Sequence, residues 1–422
     1  MQDQAVAPGK TNHVQEIVSS KGIRAYLITE RSIPFLSLAA YCSSGAITDP
    51  VGKEGLAYMA GGIIDEGAGP YDSQAFRGQL EDNAIRLSFD LDRDACTCDL
   101  KTLTSTRELA FELLRLALKE PRFDSEPVER VRSQILADLR RRETDPEYLA
   151  SRSWFAKAFP HHPYGRATRG TPASIGTITV EDMRAFIDTR IARDRLVVGV
   201  SGDIEADELA QLLDHAFGDL PATAPALDVT RAAPVVGGTE VVRLPIPQSV
   251  VTFGHAGIDR TDADYYAAYV ANYILGGGGF SSRLTEEVRE KRGLAYSVYS
   301  YLYDLDLSPL WLGGVATNNA QVAQSLSLVR EELKKLAAGD IAQHELDDAR
   351  TYLTGSFPLR LTSNDQTAKL LGMMLFQDLG RDYLERRNGL IEAVTLDDVR
   401  RVSARLFSGE MLVSVVGDPQ GI

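Results

Sequence analysis

The sequence predicts an α+β protein with two homologous domains, each a mostly antiparallel β-sheet covered by α-helices. Three observations support this fold class. The chain has 422 residues, whereas an ordinary domain has roughly 100–200. A segment rich in proline, alanine and glycine at 222–238 has little hydrophobic periodicity, which is typical of an extended linker. The flanking segments, 1–221 and 239–422, contain the same elements in the same order, which indicates an internal duplication.

Each predicted domain begins with a strand that leads into a helix. Alternating apolar residues predict strands at 35–43 and 249–257, and helical periodicity follows at 55–64 and 263–275. Long helical segments add to the helix content and favour layers in which helices cover the sheets. These longer segments are 104–119 and 126–142.

Each domain also ends in the same way. A β-branched run ending in Gly-Asp predicts a buried strand at 195–203 and again at 411–418. A helix precedes each strand, and it begins at Thr179 in the first domain and at Thr395 in the second. Both threonines are followed by acidic residues in the first turn, as expected of an N-cap.

The charge of the chain restricts the classes of partner. Lysine and arginine number 45 against 59 acidic residues, and the formal net charge is −14. This balance argues against nucleic acid or an anionic membrane surface as the main partner. It is compatible with neutral or basic peptides, and equally with an acidic surface that only keeps the protein in solution. We expect the three cysteines, Cys42, Cys96 and Cys98, to be structural, because their spacing does not form a zinc knuckle.

Targeting signals are weak in this sequence. No run reaches the roughly 20 apolar residues of a membrane helix, so we expect no membrane insertion. The start, Gln2–Gln4, lacks the basic and apolar regions of a signal peptide but is compatible with a trimmed bacterial export signal. We therefore expect a periplasmic location, with the cytoplasm as the alternative.

Four consecutive glycines interrupt the helical pattern of the second domain and predict a flexible loop. They are Gly276, Gly277, Gly278 and Gly279. The loop lacks the Gly-Lys-Ser/Thr ending of a P-loop and the strand-to-helix context of a dinucleotide site, so a phosphate site is disfavoured. The loop joins a charged helix and a strand tyrosine in one compact unit, which we interpret as a site that grips substrate.

The helix after this loop carries matched signals at both ends: a capping serine, acidic residues in the first turn, basic residues in the last turn and the terminating Gly293. Leu284 and Val288 lie four residues apart and are expected to face the core, which places Arg289 at the edge of that face. The following strand alternates, with Tyr296 on one face and three tyrosines on the other. Those three are Tyr299, Tyr301 and Tyr303, and alternation alone does not decide which face is exposed.

Four segments of the sequence are informative when taken together: Gly55-Leu56-Ala57, Thr144-Asp145-Pro146, His162-Pro163-Tyr164-Gly165 and Gly276–Tyr296. They resemble the M16 family of zinc metallopeptidases, the pitrilysin and mitochondrial processing peptidase-like group, and specifically its M16B type. The resemblance covers almost the whole chain, and it implies that the two domains form half of a clam-shaped chamber.

Catalytic members of that family carry an H-x-x-E-H motif, which holds two zinc ligands and the general base. The resemblance places the first histidine on Tyr58, the base on Gly61 and the second histidine on Gly62. The third ligand, a distant glutamate, falls on Asp138. The chemistry of all three motif positions is lost, so we expect no zinc or other cofactor bound by this chain.

The substrate-binding pair of the family is retained. The resemblance implies that an arginine and a tyrosine seven residues apart bind the substrate carbonyl near the scissile bond, and these fall on Arg289 and Tyr296. The four loop glycines are expected to contribute to the same substrate site. Because donors alone cannot generate the nucleophile, the chain should be a poor peptidase by itself.

The leading hypothesis is therefore a non-zinc subunit of a heteromeric M16B-type peptidase, paired with a zinc-bearing M16 subunit and binding peptide. Zinc is expected in that partner subunit. A peptide is also expected to add as a strand to an exposed sheet edge. The alternative is a catalytically inactive structural or peptide-binding M16-like scaffold protein, and the sequence does not reveal the partner or the cleavage preference.

Overall fold

The computed structural model describes residues 13–422, so the Gln2–Gln4 start lies outside the described residues. The contacts divide the chain into two compact units, each built from separate segments. Among the described residues, the first contains 13–133 together with Ala173–Ala226 and Pro358–Arg386. The second contains Gln134–Pro172, Leu227–Phe357 and Arg387–Ile422. No helix within residues 13–422 is long and apolar enough to cross a membrane.

The secondary structure alternates between strands and helices in both halves of the sequence. The strands are β1 (Gln15–Val18), β2 (Arg24–Thr29), β3 (Phe35–Cys42), β4 (Arg86–Leu91), β5 (Cys96–Leu103), β6 (Leu196–Gly202), β7 (Thr239–Arg243), β8 (Gln248–Ala256), β9 (Ala295–Tyr303), β10 (Leu310–Asn318) and β11 (Leu412–Gly417). The helices are α1 (Leu56–Gly61), α2 (Ser73–Asp82), α3 (Arg107–Lys119), α4 (Ser125–Arg142), α5 (Pro146–Ala158), α6 (Pro172–Thr177), α7 (Val180–Arg190), α8 (Ala206–Phe217), α9 (Tyr265–Asn272), α10 (Val322–Ala337), α11 (Gln343–Gly355), α12 (Asn364–Phe376), α13 (Tyr383–Glu392) and α14 (Leu396–Leu406).

The first unit is built on a six-stranded sheet with the order β1-β2-β6-β3-β5-β4. Strands β2 and β6 pair in parallel, and the other neighbours are antiparallel. Helix α12 packs on β6, β3 and β2. The contact is close: a Cβ added at Gly372 of α12 would lie 2.5 Å from the ring of Tyr41 on β3.

The second unit is built on a five-stranded sheet with the order β7-β11-β8-β10-β9, which leaves β9 at one edge. Strands β7 and β11 are parallel, and the others are antiparallel. Helix α5 packs on β11, β8 and β7, and the Trp154 indole donates a hydrogen bond to the Leu412 carbonyl at 3.0 Å. Trp311 and Phe253 are fully buried in the core beneath the other helices.

The α+β fold with mostly antiparallel, helix-covered sheets is therefore confirmed. The repeated elements are also present: β6 and β11 are almost completely buried, and Thr179 and Thr395 each form a capping box with the acidic residue three positions later. The domain limits 1–221 and 239–422 stay a prediction. The contacts add that α12, from the second half of the sequence, packs on the first sheet, and that α5, from the first half, packs on the second.

Three element boundaries differ from the sequence prediction. The segment 55–64 forms only the short helix α1, which begins after Gly55 in the left-handed conformation (φ 90°). Residues 104–106 form a 3₁₀ turn before α3. Helix α9 is expected to end at the first glycine of the loop, but a π-helical turn at Tyr273–Gly277 continues it through Gly276 and Gly277.

Candidate functional site

The first two glycines of the loop, Gly276 and Gly277, pack against strand β9 and the end of α9. A Cβ added at Gly276 would lie 2.7 Å from the backbone nitrogen of Ser300, and one added at Gly277 would lie 2.8 Å from the amide nitrogen of Asn272. Real Cβ atoms essentially never approach this closely. Both positions therefore require glycine because neighbouring atoms leave no room for a side chain.

The other two glycines, Gly278 and Gly279, differ from each other. The Gly278 amide donates a hydrogen bond to the Tyr273 carbonyl at 2.9 Å, and an added Cβ would lie 2.9 Å from that same oxygen. A Cβ at Gly279 would meet no atom within 4 Å, but its φ of 57° lies in the left-handed region that favours glycine. An added Cβ would thus meet close neighbours at Gly276, Gly277 and Gly278, and backbone freedom is required at Gly279. The flexibility of the loop stays a prediction.

A buried hydrogen-bond network holds the start of this loop. The Asn272 side-chain oxygen accepts from the Ser300 hydroxyl at 2.8 Å and from the Trp311 indole at 3.0 Å. The Asn272 amide nitrogen donates to the Ser300 carbonyl at 3.3 Å. Because α9, β9 and β10 each contribute one partner, the network fixes the start of the loop on the sheet.

Arg289 lies on a π-helical segment, Thr285–Glu290. Leu284 and Val288 are fully buried, as the sequence predicts, and Gly293 ends the segment with a φ of 62°. Arg283 anchors its start, since its guanidinium donates to both carboxylate oxygens of Glu345 at 2.6 Å. π-Helical turns are rare and occur often at functional sites.

The other charged groups of this segment are paired with one another. Lys291 and Arg292 both contact the Glu287 carboxylate at 2.6 Å, and their hydrogen bonds lower the pKa of Glu287 to about 2. Arg289 has a weaker ion pair, 3.5 Å from Nε to Glu290, and its guanidinium makes no hydrogen bond to any residue within 13–422. The N–H groups of Arg289 are therefore available to a ligand.

A β-bulge directs Tyr296 out of the sheet. Ala316 of β10 pairs with Ser297, whereas Thr317 pairs with Ala295, so that Tyr296 is the extra residue. Its side chain is 79% exposed, although Val298, on the same face by simple alternation, is buried. Bulges of this kind re-aim side chains and occur often beside active sites.

The structure brings Arg289 and Tyr296 together and adds a third residue. The Arg289 Cζ atom lies 5.6 Å from the centre of the Tyr296 ring and 4.7 Å from the centre of the Phe280 ring. The guanidinium thus contacts two aromatic rings, and apart from the 3.5 Å ion pair of Nε with Glu290 its in-plane N–H groups have no hydrogen-bond partner among the described residues.

The exposed face of β9 carries the tyrosines whose environment the sequence leaves open. Tyr299 is 50% exposed and Tyr301 is 42% exposed, and their rings stack with centres 6.2 Å apart. Tyr303 continues this row toward α5, where its ring makes an edge contact with Phe155 at 6.4 Å. The face opposite to these tyrosines, with Val298 and Ser300, is the buried one.

The positions on and beside α1 that correspond to the zinc motif have different surroundings from one another. A Cβ added at Gly61 would overlap the Leu91 Cδ1 atom, so a leucine from β4 occupies the volume into which a side chain at position 61 would project. Gly62 is exposed and has room for a Cβ, and Tyr58 is half-buried. The helix start is held by Asp49, whose carboxylate accepts the Gly55 and Ala57 amides at 2.8 and 2.9 Å.

Asp138, the position of the expected third ligand, is an ion-pair centre in the second unit. Its carboxylate contacts Arg141, Arg142 at 2.6 Å and Arg169 at 3.5 Å. Hydrogen bonds from Arg142 and Arg141 lower the pKa of Asp138. Within residues 13–422 no group of three or more His, Cys, Asp or Glu residues is arranged to hold a metal ion.

Comparison with known proteins decides the family. The chain is 30% identical over 322 residues to a Helicobacter pylori protein named non-peptidase homolog YmxG, and the match covers 76% of this chain and 74% of that protein. The chain belongs to peptidase family M16. Two family models agree: Insulinase (Peptidase family M16) matches residues 26–172, and Peptidase M16 inactive domain matches residues 177–353.

Other M16 relatives extend this similarity. A Streptomyces coelicolor protein named as an uncharacterized zinc protease is 30% identical, with 75% of this chain and 70% of that protein covered. A crystal structure of a peptidase M16 inactive domain from Pseudomonas fluorescens superposes with a TM-score of 0.91 at 27% identity, covering 96% of this chain and 98% of that one. A Helicobacter pylori protease structure, at 20% identity and a TM-score of 0.87, shares the fold.

Sequence reasoning located Arg289, Tyr296 and the glycine loop of this M16 chain, and it missed two residues. Phe280 contacts Arg289, and its one sequence signal is an aromatic residue directly after four glycines. Asp49 is buried, and this burial raises its pKa to about 7 against the opposing hydrogen bonds. Its position six residues before Gly55 carries no recognisable capping signal.

Proposed function

We propose that this chain is the non-zinc subunit of a heteromeric M16B-type metallopeptidase. In this role it binds peptide substrate and contributes Arg289 and Tyr296 to the active site of a zinc-bearing partner subunit. The observation that carries the proposal is that Arg289 and Tyr296 lie side by side and that no residue within 13–422 uses their side-chain hydrogen-bond donors. Family membership supplies the peptide as the class of ligand.

The chemistry follows from the two donors. A guanidinium and a phenol that converge on one carbonyl oxygen orient it and stabilise the negative charge that develops when water attacks. Each such donor contributes about 2.7–4 kcal/mol to the transition state. Position 61 is a glycine, which has no side chain to act as a general base, so the zinc and the base are expected in the partner.

The peptide main chain has a second point of attachment in this proposal. Strand β9 is at the edge of its sheet and carries Tyr296 at its start. Edge strands present unpaired backbone groups to which an extended peptide can add, with little dependence on its sequence. The glycine loop, Gly276–Gly279, borders the same strand and contributes to the substrate site.

The location of the complex is also part of the proposal. We favour the periplasm, with the cytoplasm as the alternative, and a heterodimer of this chain with a zinc-bearing M16 subunit. The test begins with purification of the tagged chain from its native cells and identification of stoichiometric partners by mass spectrometry. A relative with an intact H-x-x-E-H motif is expected; recovery of the chain alone or as a homodimer counts against the heteromer.

The decisive variant is Arg289→Ala in the reconstituted complex. We expect turnover of an unfolded polypeptide to fall about 10²–10³-fold, because one transition-state donor is lost, while the subunits stay associated in gel filtration. Lys291→Ala is the matched control, since it removes a positive charge from the same segment but its partners are Glu286 and Glu287. Unchanged turnover in Arg289→Ala would eliminate the proposed role of this residue.

A second candidate, a catalytically inactive structural or peptide-binding scaffold, is favoured by specific findings. The Helicobacter pylori relative is named a non-peptidase homolog, and the matching C-terminal family model is the M16 inactive domain. This candidate predicts no peptidase activity in combination with any zinc-bearing M16 relative from the same cells. It still permits peptide binding, so the turnover measurement separates the two functions.

A further inference from the structure

Phe280 has an environment that core packing does not explain. The residue follows the four glycines on a short 3₁₀ turn, Gly279–Ser281, and its side chain is 72% exposed. Leaving a phenylalanine ring in water forfeits most of the free energy that burial of such a ring supplies. The ring nevertheless makes a specific contact with the guanidinium of Arg289, whose Cζ atom lies 4.7 Å from the ring centre.

The backbone around Phe280 is held in place from both sides. Before it, Gly276 and Gly277 pack on β9 and on the Asn272 network. After it, the Ser282 hydroxyl donates to the Gly279 carbonyl at 2.8 Å, and its oxygen lies within hydrogen-bond distance of the Thr285 hydroxyl, at 3.0 Å. The loop therefore presents the ring at a fixed point above the segment that carries Arg289.

Arg289 needs such a contact because its own side chain is long. An arginine side chain carries about 2 kcal/mol of rotamer entropy, and immobilising it on a ligand is unfavourable unless it is already ordered. Its salt bridge to Glu290 is long and largely exposed, so it orders the guanidinium only weakly. The rings of Phe280 and Tyr296 also lie against the guanidinium and restrict its motion.

We propose that Phe280 is a positioning residue: it orders the Arg289 guanidinium together with Tyr296 and leaves the in-plane N–H groups directed at a planar oxygen ligand, a peptide carbonyl or carboxylate. This inference rests on the proposed function for the identity of the ligand, but its geometric part does not depend on a ligand. It gives the glycine loop a defined role, which is to place one aromatic ring over one arginine.

The first measurement is the Nε–Hε resonance of Arg289 in protein labelled with ¹⁵N-arginine, assigned by its loss in Arg289→Lys. Aromatic rings above a guanidinium move this proton upfield, so we expect an upfield position in the native chain, a shift toward the exposed Arg292 signal in Phe280→Leu, and retention in Phe280→Trp. Tyr352→Leu is the control, because Tyr352 is an exposed aromatic residue of the same unit that stacks on Tyr273 at 5.3 Å. An unchanged resonance in Phe280→Leu would overturn the proposal.

The second measurement is the affinity for a fluorescein-labelled dodecapeptide of alternating lysine and alanine, whose charge suits the acidic chain. A contact of this kind, at an exposed site, is expected to change affinity about two- to fivefold. Phe280→Leu should weaken binding by that factor in the native chain and have no effect in an Arg289→Ala background. Equal losses in both backgrounds contradict positioning through Arg289.

The two measurements separate the failure of this inference from the failure of the proposed function. If Arg289→Ala binds the peptide as tightly as the native chain does, or the native chain does not bind it, the peptide role of the pair is wrong. In that case the Nε–Hε resonance of Arg289 alone tests whether Phe280 orders the guanidinium. If Arg289→Ala weakens binding but Phe280→Leu changes neither affinity nor resonance, the site is correct and the positioning role is wrong.

Discussion

Replacement of Gly276 by alanine tests whether the glycine loop is held by packing or is simply flexible. The added Cβ would lie 2.5 Å from the Ser300 hydroxyl, 2.7 Å from the Ser300 backbone nitrogen and 2.9 Å from Leu284 Cδ1, whereas ordinary van der Waals contact begins at 3.4 Å. Ser300 is paired with Gly313 of β10, so its backbone cannot move without disturbing the sheet. A flexible loop, in contrast, would accept the methyl group by a small displacement.

The expected cost combines two opposing effects. Overpacking against backbone atoms costs about 3 kcal/mol, toward the upper end of the usual range. Alanine is favoured over glycine within a helical turn by about 1 kcal/mol, which offsets part of this cost. We therefore expect Gly276→Ala to lower the free energy of unfolding of the second unit by about 2 kcal/mol.

Urea unfolding followed by tryptophan fluorescence measures this loss. The two tryptophans of the chain, Trp154 and Trp311, are both buried in the second unit, so the signal reports on that unit. Gly389→Ala on α13 is the control, because a Cβ there meets no atom within 4 Å, and it should be neutral or stabilising by up to about 1 kcal/mol. Equal unfolding midpoints for the two variants would refute the packing argument.

Two further predictions concern the filled zinc position and a buried histidine. Gly61→Ala should destabilise the chain by about 1 kcal/mol relative to Gly62→Ala, because the added Cβ at position 61 overlaps Leu91. Thermal unfolding followed by circular dichroism measures this difference. The difference should disappear in a Leu91→Ala background, and a difference that persists there would contradict the overlap. His255, stacked on Trp311, has its pKa lowered by burial. Below the ordinary pKa of 6.5, the unfolded chain binds a proton that the folded imidazole does not, so stability is present above that pH and is lost as the pH falls. His255→Phe should reduce the dependence of the urea midpoint on pH below 6.5, and an unchanged dependence would show that other groups cause it.

The sequence was sufficient for features that depend on local chemistry. The capping boxes at Thr179 and Thr395, the buried strands β6 and β11, and the buried Leu284 and Val288 all follow from hydrophobic periodicity and capping rules. The proximity of Arg289 and Tyr296 was inferred from a family resemblance. Spacing alone would not have predicted it, because a seven-residue separation across a helix end has no fixed distance.

Other features depend on interactions that a linear pattern does not encode. The packing of α12 on the first sheet and of α5 on the second joins segments more than 80 residues apart, and neither helix carries a sequence signal for its target. The exposure of Tyr296 depends on a single unpaired residue in the β9–β10 register. Simple alternation places Tyr296 on the buried face, because Val298 lies two residues later in the strand. The bulge overturns this expectation, because one extra residue reverses the face of every residue on one side of the bulge.

The two regions of this M16 chain differ in what their side chains contribute to folding, and this difference bears on function. At position 61 the residue is a glycine, and the Leu91 Cδ1 atom lies where a side chain at that position would begin, an apolar contact of the kind that adds to stability. Arg289 and Tyr296, in contrast, contribute little to stability through their exposed contacts. Their side-chain hydrogen-bond donors have no partner among the described residues. Because folding does not require these two side chains, their presence at an exposed site is consistent with a role in ligand binding. If Arg289→Ala leaves the urea midpoint of the second unit unchanged but abolishes peptide binding or turnover, the pair serves a ligand; a large loss of stability would instead assign it to the fold.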